Sequence, residues 1–423
     1  MATLAAGTEG GKPRFPLHLQ IVVAIALGLV VGPLLGRSAI GLGDIGKLVI
    51  QLIKAAAAPL LFFSIVNAIL KTEVDARSAG RLFFWASINA SIALTIGLLL
   101  SNLIHPGTSL AGFAPSGPAA IAGYQGKKID LLGVVNGLIP TSLVSPFVDN
   151  SVLAIVLIAV LVGVGLRTAR HEQQSRGSSA FKPLEDAAET LLRVMEIVLG
   201  YVIRLIPFAV FGVVARAVGE HGYGPLKGLG VYVLVGMGGL FLHAVLTYQL
   251  WIRFYARMSL ATFWAAAKEP MAYAAGANSS LATLPVTLRA LDRLGVQRSS
   301  SALGACVGTN FNNDGIILYE GMAVLFVAQA SGIHLSLGQQ ALIAFVCMVA
   351  AMGVAGVPEA GFVSLALVLN TVGLPLEILP LLLTVDWIIA RGRSVTNVLS
   401  DMVLSILLDR KKALQAEVQG VKA

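Results

Sequence analysis

The stretch Val385-Asp386-Trp387-Ile388-Ile389-Ala390-Arg391-Gly392-Arg393-Ser394-Val395-Thr396-Asn397-Val398-Leu399-Ser400-Asp401 decides how this chain reads. It lies inside a strongly apolar segment running from Leu379 to Leu408. At about 100° per residue, Arg393, Asn397 and Asp401 all return to within about 60° of Asp386, so the four share one helical face. Leu, Ile and Val fill the other faces. A charge near a bilayer centre costs at least ~2.5–3.5 kcal/mol, so such residues face the protein interior or a watery cavity. Two acids, a guanidinium and an amide in one stripe read as a polar site for an ionic solute. An internal Asp386–Arg393 salt bridge that only helps helices pack is the simpler alternative, but it leaves Asn397 and Asp401 unexplained.

Composition agrees with a membrane setting. Of the 423 residues, 56% are hydrophobic and only 12% charged, and the mean hydropathy is +0.82; an ordinary soluble domain is excluded. Apolar runs long enough to cross ~30 Å of hydrocarbon are expected near 18–36, 44–70, 80–104, 150–167, 190–218 and 226–252, with more broken stretches after them. The first follows Lys12 and Arg14 without a convincing A-x-A site, so it is read as a retained span and not a cleaved signal. The net charge of +8 is not a nucleic-acid footprint. Its basic residues gather in short loops: Lys71, Arg77 and Arg81; Arg167, Arg170 and Arg176; Arg253 and Arg257; Arg410, Lys411 and Lys412. With both termini cytoplasmic, every cluster falls on the cytoplasmic side of an inner membrane. Cys306 and Cys347 sit in apolar stretches with no metal spacing.

The second half follows a different plan. Two apolar arms, about Leu260–Tyr273 and Leu281–Leu291, are each too short to span and are joined by Ala275-Gly276-Ala277-Asn278-Ser279-Ser280. Residues 337–375 repeat the design around Gly353-Val354-Ala355-Gly356-Val357-Pro358-Glu359-Ala360-Gly361. Paired, interrupted hydrophobic segments point to a transporter binding site; two ordinary helical hairpins with surface turns fit the same pattern. Between them stands Gly308-Thr309-Asn310-Phe311-Asn312-Asn313-Asp314-Gly315. Three Asn and an Asp among poor helix formers predict an unwound helix at membrane depth. Freed carbonyls, amides and a carboxylate are the oxygen donors a hard cation needs. A Ca²⁺ loop would require several acids at alternate positions, so a monovalent cation such as Na⁺ fits better. No H-E-x-x-H or G-x-S-x-G is present, and the six His are scattered mainly in loops or near ends, so no enzyme chemistry is expected.

These motifs resemble the dicarboxylate/amino acid:cation symporter family, which includes the glutamate transporters. Asn312-Asn313-Asp314-Gly315 with Tyr319-Glu320-Gly321 resembles its Asn-Met-Asp-Gly-Thr motif. Ser279-Ser280-Leu281-Ala282-Thr283-Leu284-Pro285 is similar to its first hairpin tip, Ala355-Gly356-Val357-Pro358 with Gly361 to its second, and Val372-Gly373-Leu374-Pro375 to the turn that follows. The resemblance implies an all-α polytopic membrane protein with eight transmembrane helices and two re-entrant helical hairpins, working as an elevator in a homotrimer. It places a scaffold mainly within 15–70 and 131–218, a transport core mainly within 80–104 and 226–410, and a cytoplasmic tail at 411–423.

Arg393 is the expected anchor for a substrate carboxylate, because a guanidinium offers a planar fork that Lys cannot copy. Asp386 orients the fork. The resemblance implies that Asn397 contacts substrate, that Ser279, Ser280 and the tip backbones at Val357 and Gly361 close on it, and that Ser394 adds a hydroxyl. It also implies one Na⁺ site from Gly308, Asn312, Asn397 and Asp401, a deeper one from Asn312 and Asp314 with Asn89 of the third span, and a third from carbonyls near Ala351, Met352 and Val354. Ala390 stands where the amino-acid carriers of that family have an Asp for the substrate ammonium; Ile316, Leu281 and Asn313 also depart from the pattern. These changes favour a C4-dicarboxylate over glutamate or aspartate, with Glu359 as a substitute anion if the amino-acid reading holds. Glu320, in an apolar helix without an obvious basic partner, is a candidate proton carrier or a carboxyl hydrogen-bonded within the bundle. The expected partners are a small carboxylate, membrane lipid, Na⁺ and H⁺, with no organic cofactor. A carboxylate-gated channel or sensor of the same fold is the rival class.

Overall fold

The computed structural model describes residues 16–71, 76–110, 139–140, 142–177, 180–352 and 360–418, and these are helical with no strand among them. The first half contains α1 (Leu17–Leu35), α2 (Gly43–Lys71), α3 (Ala76–Ile104), a short α4 (Ser145–Asp149), α5 (Val152–Ser175), α6 (Lys182–Ile203) and α7 (Ile206–His221). Next comes α8 (Gly224–His243), which runs on through π turns at 244–248 and 251–255. Helices dominate because lipid offers no partner for backbone N–H and C=O groups, and a helix satisfies both internally. Five helical stretches among the described residues are long and apolar enough to cross a membrane, which fits a multi-pass protein. The apolar run expected at 190–218 is not one straight rod: the helix breaks at Arg204 and Leu205, between α6 and α7.

Small residues set how the first-half helices meet. A Cβ on Gly28 would lie 2.8 Å from Val214 Cβ, and one on Gly32 only 2.6 Å from the Ala215 carbonyl oxygen. The Gly28-x3-Gly32 face of α1 therefore lets the backbones of α1 and α7 approach closely, the usual route to helix association in lipid. Gly46 meets Val213 while Lys71 pairs with Glu189, so α2 runs antiparallel to the α6–α7 pair. Arg170 donates to the Leu70 carbonyl and to Glu185 Oε1, at 3.0 and 2.7 Å, bringing the basic ends of α2 and α5 together.

The second half holds α9 (Leu260–Ala277), α10 (Ser280–Arg293), the short α11 (Arg298–Ser301), α12 (Asp314–Ala330), α13 (Leu337–Ala351), α14 (Ala360–Thr371) and the long α15 (Leu379–Val418). Helices α9 and α10 pack on each other, as do α13 and α14, which gives the two hairpins. The first is tighter than its sequence suggested. Helix α9 continues to Ala277, and only Asn278 and Ser279 make the turn. Asn278 adopts the left-handed conformation, with φ of 51°, which Asn tolerates better than most residues. The second tip, 353–359, lies outside the described residues. Helix α15 runs through the middle of this half, touching α8, α9, α10, α12 and α14.

Candidate functional site

The polar face of α15 is buried along its length: Asp386, Arg393, Asn397 and Asp401 are all nearly inaccessible. Arg393 Nη1 donates to Asp386 Oδ1 at 2.7 Å and Nη2 to Oδ2 at 3.0 Å, a planar two-point pair. The Tyr319 ring centroid lies 4.0 Å from the Arg393 Cζ. Gly361 flanks the same group: a Cβ there would sit 3.2 Å from Cζ. Any larger residue at 361 would press on the guanidinium. Ala390, one turn before the arginine, is 2% exposed and offers no charge.

Two hydroxyls tie the first hairpin tip to its surroundings, and a third caps its second arm. Ser394 Oγ donates to Asn278 Oδ1 at 3.1 Å. Ser279 Oγ caps α10 by accepting from the Ala282 amide at 3.1 Å. Thr309 Oγ1 donates to Ser280 Oγ at 3.4 Å, linking the tip to the helix break.

The break falls where the Asn run predicts it. A π turn at 302–307 and a 3₁₀ turn at 308–310 lead into a non-helical segment, and the helix restarts at Asp314. The Gly308 carbonyl accepts from the amides of Phe311 and Asn312, both at 2.7 Å, so its lone pairs are committed in this conformation. Asn313 Nδ2 donates to the Ala351 carbonyl at 2.9 Å, joining the break to the second hairpin. Asn397 holds the break from the other side: its Oδ1 accepts from the Gly315 amide at 2.8 Å and its Nδ2 donates to Asn313 Oδ1 at 3.3 Å.

Below the break lies a second polar cluster. Asp314 Oδ2 accepts from Ser400 Oγ at 2.5 Å, from the Tyr248 hydroxyl at 3.0 Å and from His243 Nε2 at 3.2 Å. Asn312 Nδ2 donates to Ser400 Oγ at 2.8 Å and reaches Asp401 Oδ1 at 3.5 Å. The remaining oxygens, Asp314 Oδ1 and Asn312 Oδ1, are buried without a hydrogen-bond donor among the described residues. Two carbonyl-type oxygens lacking donors at this depth suit a hard cation, which supplies the positive charge that each lone pair lacks.

The expected residues thus fall into three groups. Arg393, Asp386 and Gly361 meet at one place; Ser279, Ser280 and Ser394 meet at the first tip; Asn312, Asp314, Asn397 and Asp401 meet at the break. Asn89 is fully buried on α3, but its oxygen accepts from the Trp251 indole at 2.9 Å, and no hydrogen bond joins it to Asn312 or Asp314. Glu320 is fully enclosed on α12, and both of its carboxyl oxygens lack a hydrogen-bond partner among the described residues. Val357, Val354 and Glu359 lie outside the described residues.

Sequence reasoning missed His243, which it placed with His residues in loops or near ends. His243 is fully buried at the end of α8 and touches Asp314. Tyr248 was also missed, and Ser400, Tyr319 and Asn278 entered only as members of longer motifs with no role of their own. A polar residue in an apolar run was the available signal for His243, but its partner lies 71 residues away.

The sequence profile of the sodium:dicarboxylate symporter family matches residues 17–411. The chain is 32% identical to a C4-dicarboxylate transport protein of Azorhizobium caulinodans, over 96% of this chain and 92% of that one. It is 32% identical to one of Rhodospirillum rubrum, over 97% and 94%, and 29% identical to one of Bacillus subtilis, over 96% and 97%. With the family profile matched over residues 17–411 and relatives 32% identical along nearly their whole length, this chain belongs to the sodium:dicarboxylate symporter family.

Proposed function

We propose that this protein imports a C4-dicarboxylate across the inner membrane by symport with cations. The observation that carries the substrate class is the Arg393 fork beside an uncharged Ala390. One substrate carboxylate binds the guanidinium, which Asp386 holds in plane against Tyr319. Without an acid at position 390, an α-amino group loses a charge-assisted hydrogen bond of about 1.5–3 kcal/mol, or about one to two decades of affinity. The hydroxyls of Ser279, Ser280 and Ser394 line the first tip, and the second tip, with Val357 and Gly361, closes from the other side.

Asp314 and Asn312 hold one Na⁺ through the two oxygens that lack donors. Asp401, Asn312 and Asn397 hold another, with the Gly308 carbonyl joining when its turn relaxes. Bound cations offset the acids and let the loaded site cross the low-dielectric core. Glu320 carries a proton in the same cycle. Helices α1, α2 and α5–α7 form a scaffold, assembled as a homotrimer, and α3 with α8–α15 moves against it as an elevator. Both termini are cytoplasmic.

Purified protein in liposomes, given labelled succinate or aspartate with Na⁺ and pH gradients imposed separately, tests this. Succinate uptake driven by inward Na⁺ is the expected result. Aspartate preference would transfer the ammonium site to another acid, and no carboxylate uptake under either gradient would sink the reading.

A further inference from the structure

We infer that His243, with Tyr248 and Ser400, is a positioning residue that selects which oxygens of the Asn312–Asp314 break are offered to a cation. This rests on the Na⁺ site proposed above. The first link is the local backbone. In a regular α-helix, residues five apart point about 140° away from each other. Between His243 and Tyr248 the chain forms a π turn, at 244–248, in which each repeat holds more residues. The wider turn brings the two rings to one side, with centroids 4.8 Å apart. Both then donate to a single atom, Asp314 Oδ2.

Donor and acceptor roles follow from chemistry. A carboxylate only accepts, so Nε2 of His243 carries the hydrogen that points to Asp314. The other ring nitrogen, Nδ1, lies 3.1 Å from the Thr247 hydroxyl, which holds the ring from its far side. Ser400 completes the arrangement by donating to Asp314 Oδ2 while accepting from Asn312 Nδ2. That second bond turns the amide so that its oxygen faces away from Ser400. Three donors therefore saturate Oδ2, and the same network leaves Asp314 Oδ1 and Asn312 Oδ1 as the two unsatisfied oxygens. His243 and Tyr248 need not touch the ion. They fix the ligand, as outer groups around metal sites do.

The test is the Na⁺ concentration that gives half of the thermal stabilisation of purified, substrate-free protein. His243→Ala is expected to raise that midpoint by about 10–100-fold, and Tyr248→Phe, which removes a single hydroxyl, to move it in the same direction by less. His243→Gln, whose amide can replace the Nε2 donor, is expected to stay close to wild type. A general packing defect would lower the melting temperature without Na⁺ but leave the midpoint in place. Unchanged midpoints in both His243→Ala and Tyr248→Phe would overturn the inference, and so would an equal rise in His243→Gln. Asp314→Asn separates the two levels: if it keeps a wild-type midpoint, the Na⁺ site itself is wrong. A wild-type protein with no Na⁺-dependent stabilisation would remove both.

Discussion

In the proposed cycle Arg393 and Ala390 set the substrate and Glu320 the coupling to protons. Arg393 reaches Asp386 with two nitrogens at once, a geometry that an ammonium cannot reproduce. Arg393→Lys keeps the charge and loses the fork, so succinate kcat/KM should fall by about one to two decades, the cost of a charge-assisted hydrogen bond; initial uptake rates in proteoliposomes measure it. Ala390→Asp introduces an anion one turn from the guanidinium, at a position that is 2% exposed. It should raise the ratio of aspartate to succinate uptake by about tenfold or more, and an unchanged ratio would show that Ala390 does not set the preference. Glu320 is enclosed among apolar side chains on α12. In the proposed cycle Glu320→Gln, which mimics the protonated carboxyl permanently, should abolish stimulation of uptake by an inward pH gradient while Na⁺-driven exchange of substrate persists.

At the scale of elements, the decisive parts are the break before α12 and the face of α15 that supports it. Gly315 permits their close approach: a Cβ there would meet the Arg393 carbonyl oxygen at 2.6 Å and Asn397 Oδ1 at 3.0 Å. Gly315→Ala should therefore separate the break from α15, destabilising the protein by about 1–3 kcal/mol as an overpacked core does. Thermal unfolding in detergent measures this, and an unaltered melting temperature would show that the backbone shifts freely. The break and the α15 face were legible in sequence because each has a local cause. A run of Asn weakens helix wherever it occurs, and a polar stripe at helical spacing needs only one helix to be visible. The clamp on Asp314 was not legible. It depends on a π turn in α8, which no residue in Ala244-Val245-Leu246-Thr247-Tyr248 announces, and on partners from α8 and α15 meeting across the fold. The commitment of Asn397 to Gly315 and Asn313 was hidden for the same reason.

For the whole molecule, the question is what holds the proposed moving half in place against the scaffold. One contact stands out at the end of α14. Lys54 Nζ, on α2, donates to Asn370 Oδ1 at 2.8 Å, and Asn370 Nδ2 donates to the Asp149 carbonyl at 3.1 Å. The neighbouring Thr371 Oγ1 accepts from the Val152 amide at 3.4 Å. If α2, α4 and α5 stay fixed while α14 travels, all three bonds break in every cycle. The one from the lysine is the strongest, because it is charge-assisted and part-buried. Lys54→Met keeps the unbranched stem of the side chain and removes the ammonium with its bond. It should weaken the preference for this conformation by about 1.5–3 kcal/mol, a shift of about one to two decades in the two-state ratio. Single-molecule distances between a dye on α2 and one on α15 read that ratio directly. An elevator predicts two distances whose populations change in Lys54→Met, with Na⁺ and succinate altering the wild-type ratio. A single unchanging distance in both proteins during active uptake would mean that the two halves move as one body, and transport would then require a different motion, confined to the hairpin tips.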